Sequence, residues 1–265
     1  MNIIAVDIGN SSIKISLFLE GEKSPTEIIE DGNRQKLTEV LCGLWDKLPV
    51  SERSTEGRKD GVIVFCSVKP EWSELLKDVC KTELDEKALE IGIEKDIPLP
   101  IKLCVQYPAN VGVDRIVAAA AAYFVVESAV IVADIGTAIT VDLVDSDGDF
   151  MGGIIAPGFE LSSKALNENT AQLPKVNIVT PLNPVGTSTQ EAINNGIYYS
   201  AVGLLETISR NYAEQIGQWP QMIVTGAGAS ILKKDCTFVD NWVDELVIKG
   251  IVLSYKFYLD KLEVS

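Results

Sequence analysis

Two stretches of the chain carry the same arrangement of apolar and polar positions. Residues 2 to 6 (NIIAV) and 13 to 18 (IKISLF) are β-rich runs on either side of DIGNSS, a pattern that predicts strand, tight polar turn, strand. Ala129 to Ala133 and Thr140 to Val144 flank DIGTA in the same way, which predicts a second hairpin. The DIG triplets stand at positions 7 to 9 and 134 to 136, about half a chain apart. Self-similarity of this kind implies two similarly built domains facing each other.

The other elements follow from local pattern. A third strand is expected near Thr26 to Ile29, and Leu37, Val40, Leu41, Leu44 and Leu48 fall at helical spacing within Arg34 to Leu48. Ser51 to Asp60 is a polar, exposed loop, Gly61 to Val68 a buried strand, and Glu71 to Val79 a helix. The first half thus combines a β-hairpin with a β-α-β unit. Residues 115 to 126 form an Ala-rich helix. Beyond the second hairpin come a turn at Gly148, a glycine run Met151-Gly152-Gly153, Pro157-Gly158, a helix at Leu161 to Leu166 and a polar loop to Pro184. A long helix over Thr189 to Ile208 contains Gly196 and Gly203. A short strand, Met222 to Val224, ends in Thr225-Gly226-Ala227-Gly228, and residues 246 to 260 form a closing helix.

Length and composition narrow the possibilities. A chain of 265 residues with 46% hydrophobic and 23% charged positions is a folded protein long enough for two domains or one duplicated domain. A net charge of −15 argues against nonspecific attraction to nucleic acid or to an anionic membrane, so any anionic ligand needs a local positive site. The absence of histidine excludes Ser-His-Asp and Cys-His mechanisms and every His-ligated metal. The five cysteines include no CxxC pair, which argues against a disulfide framework and a structural zinc and suits a reducing cytoplasm. The start MNIIAVDIGN is a poor signal peptide, and the longest apolar run, Ile116 to Val126, falls short of the ~20 residues of a spanning helix. A soluble cytoplasmic protein is expected.

The turns carry the candidate chemistry. A DIG turn exposes backbone amides with no Cβ at glycine, so it can approach phosphate oxygens, while an Asp beside phosphate implies a cation. In the first copy Asp7, Gly9, Asn10, Ser11 and Ser12 supply a Mg²⁺-associated carboxylate and polyphosphate donors, with Lys14 the nearby positive side chain. One such turn is equally an ordinary hairpin; two in register plus the glycine-rich Thr225 to Gly228 describe a nucleotide gripped between duplicated domains. Val111-Gly112-Val113-Asp114-Arg115 stands directly before the Ala-rich helix, where Asp114 could accept a substrate proton or simply cap the helix, and Arg115 could hold a carboxylate or phosphate or be a surface residue. Asp142, Asp145, Asp147 and Asp149 are read as solvated hairpin-turn charges with no function.

DIGNSSIK, VGVDRIVAAAAA, ADIGTAITVDLVDSDG, GGIIAPG, TAQLP, Gly186 to Thr189 and the late TGAGA occur in that order from about residue 3 to residue 252. Together they resemble type III pantothenate kinase, of the acetate and sugar kinase/Hsp70/actin superfold. GxDR followed by DxGTAxT and GGxIxPG is the specific part; DxGN alone recurs across the superfold. The resemblance implies an α/β fold of duplicated ribonuclease H-like (actin-like ATPase) domains with a nucleotide cleft between them. Residues 1–114 would form the first domain, joined by the C-terminal helix 246–265, and 115–245 the second. It implies transfer of the ATP γ-phosphoryl group to pantothenate, the first step of coenzyme A synthesis, by a homodimer needing Mg²⁺ and a monovalent cation, K⁺ or NH₄⁺.

Carried onto this sequence, Asp7, Ile8, Gly9, Asn10, Ser11, Ser12, Ile13 and Lys14 would bind ATP, with Asp7 holding Mg²⁺ through water. Gly112, Val113, Asp114 and Arg115 would bind pantothenate, with Asp114 as catalytic base. Asp134 would hold the monovalent cation, Thr137 would contact ATP, and Thr189 would contact pantothenate, across the dimer. Two positions depart from the family pattern: Ser11 stands where Thr is usual, and Val105 where many members carry a pantothenate-contacting Tyr, Tyr107 being displaced by two residues. Competing readings are another small-molecule kinase of the superfold, a catalytically silent accessory homologue and an actin-like filament protein. The GVDR block argues against the first, and retention of Asp7, Asp114 and Asp134 against the second.

Overall fold

The computed structural model describes residues 1–51 and 57–264. Residues 52–56 of the expected Ser51 to Asp60 loop lie outside the described residues, as does Ser265. The chain divides into two compact units. The first holds Met1–Ile101, Tyr107–Ala121 and Val247–Ser265, the second Lys102–Gln106 and Ala122–Leu246.

The first unit opens with the expected hairpin, β1 (Ile3–Ile8) and β2 (Ser12–Leu19), extended by the two short strands β3 (Glu22–Lys23) and β4 (Glu27–Glu30). Every residue of β1 is buried, which is why its sequence is a continuous apolar run instead of an alternation. Helix α1 (Arg34–Asp46) starts where the Asn33 side chain accepts from Lys36 N at 3.0 Å, and it turns Leu37, Leu41 and Leu44 into the core. Next come β5 (Val62–Ser67), α2 (Pro70–Leu84) and the short strand β6 (Ala88–Glu90). Pro70 at the first position of α2 needs no amide partner there. The sheet order is β3-β2-β1-β5-β6, with β4 on β2; β1 runs antiparallel to β2 and parallel to β5. Ile4, Val6, Ile8, Phe65, Leu76 and Val79 form the centre of the core.

Helix α3 (Val113–Val126) leads to the second sheet. There β7 (Val130–Ile135) and β8 (Ala138–Val144) form the second expected hairpin, and β9 (Phe150–Pro157) continues it. The glycine run at 151–153 is thus part of a strand. Gly152 is required by its φ of +96° and Gly153 by close approach: a Cβ on Gly153 would collide with Asp142 Oδ1 and Val141 O, and a bulge interrupts the register beside Leu143 and Val144. Asp142 is buried in β8, which corrects its reading as a solvated turn charge. Asp145, by contrast, shapes the turn, its Oδ1 accepting from Asp147 N and Asp149 N at 3.0 and 2.9 Å.

Helix α4 (Phe159–Glu168), helix α5 (Thr189–Ile216), β10 (Gln221–Thr225), the single turn α6 (Ala229–Leu232) and β11 (Asn241–Trp242) complete the second unit. α5 runs eight residues beyond the expected Ile208 and stops at Gly217, whose φ of +70° ends the helix. Helix α7 (Leu246–Val264) closes the chain and belongs, but for its first residue, to the first unit. The second sheet has the order β11-β10-β7-β8-β9. Here β7 is antiparallel to β8 and parallel to β10, as β1 is to β2 and β5, so the two units are similarly built.

Candidate active site

In the first unit the strands deliver the candidate residues to one end of the sheet. Asp7 pairs with Lys14 across the hairpin and with Cys66 on β5. The Lys14 ammonium stands 3.9 Å from Asp7 Oδ2, and the Asp7 carboxylate is largely buried. Gly9 N donates to Ser12 O at 3.1 Å, closing the turn and leaving Asn10 and Ser11 exposed at its tip. Val68 N donates to Ile8 O at 3.0 Å, so the end of β5 stays attached to β1 up to the turn.

Asp114 lies in the first turn of α3, where a carboxylate is favoured by the helix dipole. Its Oδ1 accepts from Arg115 N at 2.8 Å. Gly112 makes that placement possible, because a Cβ there would stand 2.5 Å from Asp114 Oδ1. Burial raises the Asp114 pKa, opposed by the Arg115 amide and guanidinium and by Lys14. Burial also pushes the Cys66 thiol well up, with the Asp7 and Asp114 charges both adding to the rise. Cys66 is therefore a neutral thiol at neutral pH, placed where it feels both candidate carboxylates. Beside this loop is a 380 Å³ cavity whose wall includes Ser67, Ser73, Asn110, Gly112 and Val113.

In the second unit three separated motifs meet at the DIGT turn. Gly136 N donates to Ala138 O at 3.0 Å, Gly158 N to Thr137 O at 3.0 Å, and Gly228 N to Ile135 O at 2.9 Å. Gly226, with φ +99°, lies so close to Asp134 that a Cβ would collide with Asp134 Oδ1 and come 2.6 Å from Ile135 N and O. Asp134 is half-buried among these backbone groups, while Thr137 is exposed. Among the described residues no group of three or more His, Cys, Asp or Glu could hold a metal.

Thr189 is the first residue of α5. Ser188 caps the helix, its Oγ accepting from Glu191 N at 3.2 Å, and the Glu191 carboxylate accepts from Thr187 N and Oγ1, both at 2.7 Å. The strap before it is fastened by buried amides: Asn194 Oδ1 accepts from Val179 N at 2.8 Å, and Asn195 Nδ2 donates to Asn183 O and Pro184 O at 2.9 and 3.2 Å. Thr189 is exposed and lines an 870 Å³, mainly apolar cavity with Ile139, Phe159, Ile193 and Gly196.

The first unit thus brings together the Asp7 to Lys14 turn and the Gly112 to Arg115 loop, and the second holds Asp134, Thr137 and Thr189. Sequence reading missed Cys66, which carries no motif and becomes visible only through its pairing with Asp7. It also missed what Gly226 and Gly158 are for, since the signal lies in their approach to a turn 21 or more residues away in sequence.

Comparison with solved structures identifies the class. A Baf family protein from Campylobacter jejuni superposes with a TM-score of 0.59 at 18% identity, covering 97% of this chain and 99% of that one. MreB5 of Spiroplasma citri bound to AMPPNP gives 0.55 at 13% identity, covering 99% and 98%. At such identities the likeness concerns the fold alone: an α/β actin/Hsp70/sugar-kinase-like fold of two similarly built domains. The family model of type III pantothenate kinase matches residues 3–211. A type III pantothenate kinase of Dehalococcoides mccartyi is 33% identical over 254 residues, 96% of this chain and 95% of the relative. The chain belongs to the type III pantothenate kinase family, and its activity is the ATP-dependent kinase activity of that family.

Proposed function

We propose that the two sites described are the working parts of an ATP:pantothenate phosphotransferase, with Asp114 as its base. The observation that carries this reading is that the Gly112 loop packs on the end of β5, a Cβ on Gly112 standing 3.5 Å from the Val68 side chain, while Val68 N donates to Ile8 O in the Asp7 to Lys14 turn. The turn receives the ATP phosphates and the Gly112 to Arg115 loop receives pantothenate, with the adjoining 380 Å³ cavity as its pocket. Asp114 Oδ accepts the proton of the pantothenate hydroxyl as that oxygen bonds to the γ-phosphorus. The bond from the γ-phosphorus to the bridging oxygen breaks, and ADP leaves. A carboxylate with a raised pKa suits a proton acceptor, and most of the rate comes from positioning and neutralised charge.

The Asp134 carboxylate, set against the backbone of Ile135 and Gly226, is suited to a monovalent cation such as K⁺ or NH₄⁺. Asp7 is suited to hold Mg²⁺ through water, and bound cations would offset phosphate repulsion in a protein of net charge −15. Thr137 contacts ATP. The two units are read as ribonuclease H-like duplicates; their division into 1–101, 107–121 and 247–265 against 102–106 and 122–246 differs from the expected 1–114 with 246–265 and 115–245. No helix among the described residues is long and apolar enough to cross a membrane, and the five free cysteines suit the cytoplasm.

The active unit is a homodimer in which Thr189 serves the pantothenate of the partner. Support comes from Gly196 and Gly203, seven residues apart on α5: a Cβ on either would meet nothing within 4 Å, so packing within the chain does not account for them. An open glycine face lets a second helix approach closely. The decisive test is a coupled ADP assay with ATP, Mg²⁺, K⁺ and pantothenate. Turnover in the native protein that falls on the order of 10²-fold in Asp114→Asn, with ATP affinity retained, supports the reading, and near-normal turnover in the variant rejects it.

A further inference from the structure

The loop after β5 places a lysine on the phosphate turn that no motif marks. Lys69 Nζ lies 3.5 Å from Asn10 O, at the tip of the DIGNSS turn, and 3.4 Å from the centroid of the Trp72 ring. Its backbone is clamped: Lys69 N donates to Ser67 Oγ at 3.0 Å, and Ser67 Oγ and Ser73 Oγ donate to Lys69 O at 3.2 and 3.3 Å. The two residues around it, Val68 and Pro70, line the 380 Å³ cavity beside Gly112, whereas Lys69 turns to Asn10. The direction of the side chain is therefore set by the loop and by the indole face, not by a carboxylate.

We propose that Lys69 is a nucleotide-binding residue, supplying a second positive charge to the polyphosphate on the Asp7 to Lys14 turn. This rests on the reading that the turn takes ATP phosphates. Lys14, the other cation of the turn, is held 3.9 Å from Asp7 and is in part neutralised by it. Lys69 makes no ion pair among the described residues, unlike Lys36, Lys77, Lys87, Lys95 and Lys102. In a chain of net charge −15 an ammonium left unneutralised at a turn of exposed amides and hydroxyls is matched to a phosphate group, and the Trp72 face pre-organises it, so little rotamer freedom is lost on binding.

The test is calorimetric binding of MgATP to the full-length protein, compared among Lys69→Met, Lys69→Arg, Lys14→Met and, as a charge control, Lys256→Met. Kd should rise about 10-fold in Lys69→Met and stay within about threefold of native in Lys69→Arg, which keeps the charge. The loss should shrink between about 0.05 M and about 0.3 M salt, as screening weakens the contact in the native protein. The pantothenate KM should not move. If Lys69→Met binds like Lys256→Met while Lys14→Met is weakened, the turn binds ATP without Lys69 and the proposal falls alone. If neither Lys14→Met nor Lys69→Met alters Kd, the reading of the turn fails and the proposal with it.

Discussion

Gly112 and Asp114 are locked together: the space a side chain would occupy at 112 is taken by Asp114 Oδ1, 2.5 Å from a Cβ built there. The spacing in GxD is thus a packing requirement of the carboxylate. Gly112→Ala should lower kcat by about tenfold or more by turning the carboxylate away, with ATP binding and the circular dichroism spectrum unchanged. Full activity in the alanine variant would show that Asp114 works from another rotamer.

Asp114→Asn should separate activity from stability. Burial raises the Asp114 pKa, so the folded state binds this proton more tightly than the unfolded one. The contribution to stability is then fully present below the ordinary carboxylate pKa and is lost as pH rises through the raised value. The variant lacks this dependence. Its Tm should match the native protein near pH 4 and equal or exceed it near pH 8, a comparison read by scanning calorimetry.

Gly226→Ala forces a Cβ against Asp134 Oδ1 and Ile135 in a backbone with φ +99°. A stability loss of about 1–3 kcal/mol is expected, together with a weakened response of the rate to K⁺ at fixed ionic strength. Asp134→Asn should abolish the difference between K⁺ and Na⁺. An unaltered K⁺ titration in both variants would remove the cation from Asp134.

The open face of α5 gives two opposed expectations. In a monomer Gly203→Ala gains about 0.5–1 kcal/mol from helix propensity, because nothing lies within 4 Å of the new methyl. In the proposed dimer Gly203→Leu should shift sedimentation toward the monomer and lower activity. Mixing Asp114→Asn with Thr189→Val protomers should then restore one intact pocket per heterodimer. An active monomer in sedimentation would end the shared-pocket idea.

Asn195 fastens the strap before Thr189 through Asn183 O and Pro184 O. Asn195→Ala should cost about 0.5–1.5 kcal/mol, as the strap carbonyls of Asn183 and Pro184 lose their buried donor, and should raise the pantothenate KM more than it lowers kcat. A change in kcat alone would place the strap outside substrate binding.

Much of this protein is written in local pattern. The two hairpins, α1, β5 and α3 were legible because a buried central strand needs an unbroken apolar run and an amphipathic helix a period near 3.6. The DIG repeat, GVDR and TGAG were legible because phosphate and carboxylate chemistry requires those residue types in tight turns. β9 was hidden, since Gly152 and Gly153 look like breakers until Asp142 is seen against Gly153. β3, β6 and β11 were hidden by brevity, two or three residues being too few to show a period. The burial of Asp142, the pairing of Cys66 with Asp7, the closing of Gly226 on Asp134 and the lysine turned onto Asn10 were decided only by tertiary structure. Each depends on which distant segments come within a few ångströms, and that is set by strand order and register, which no local run of residues encodes.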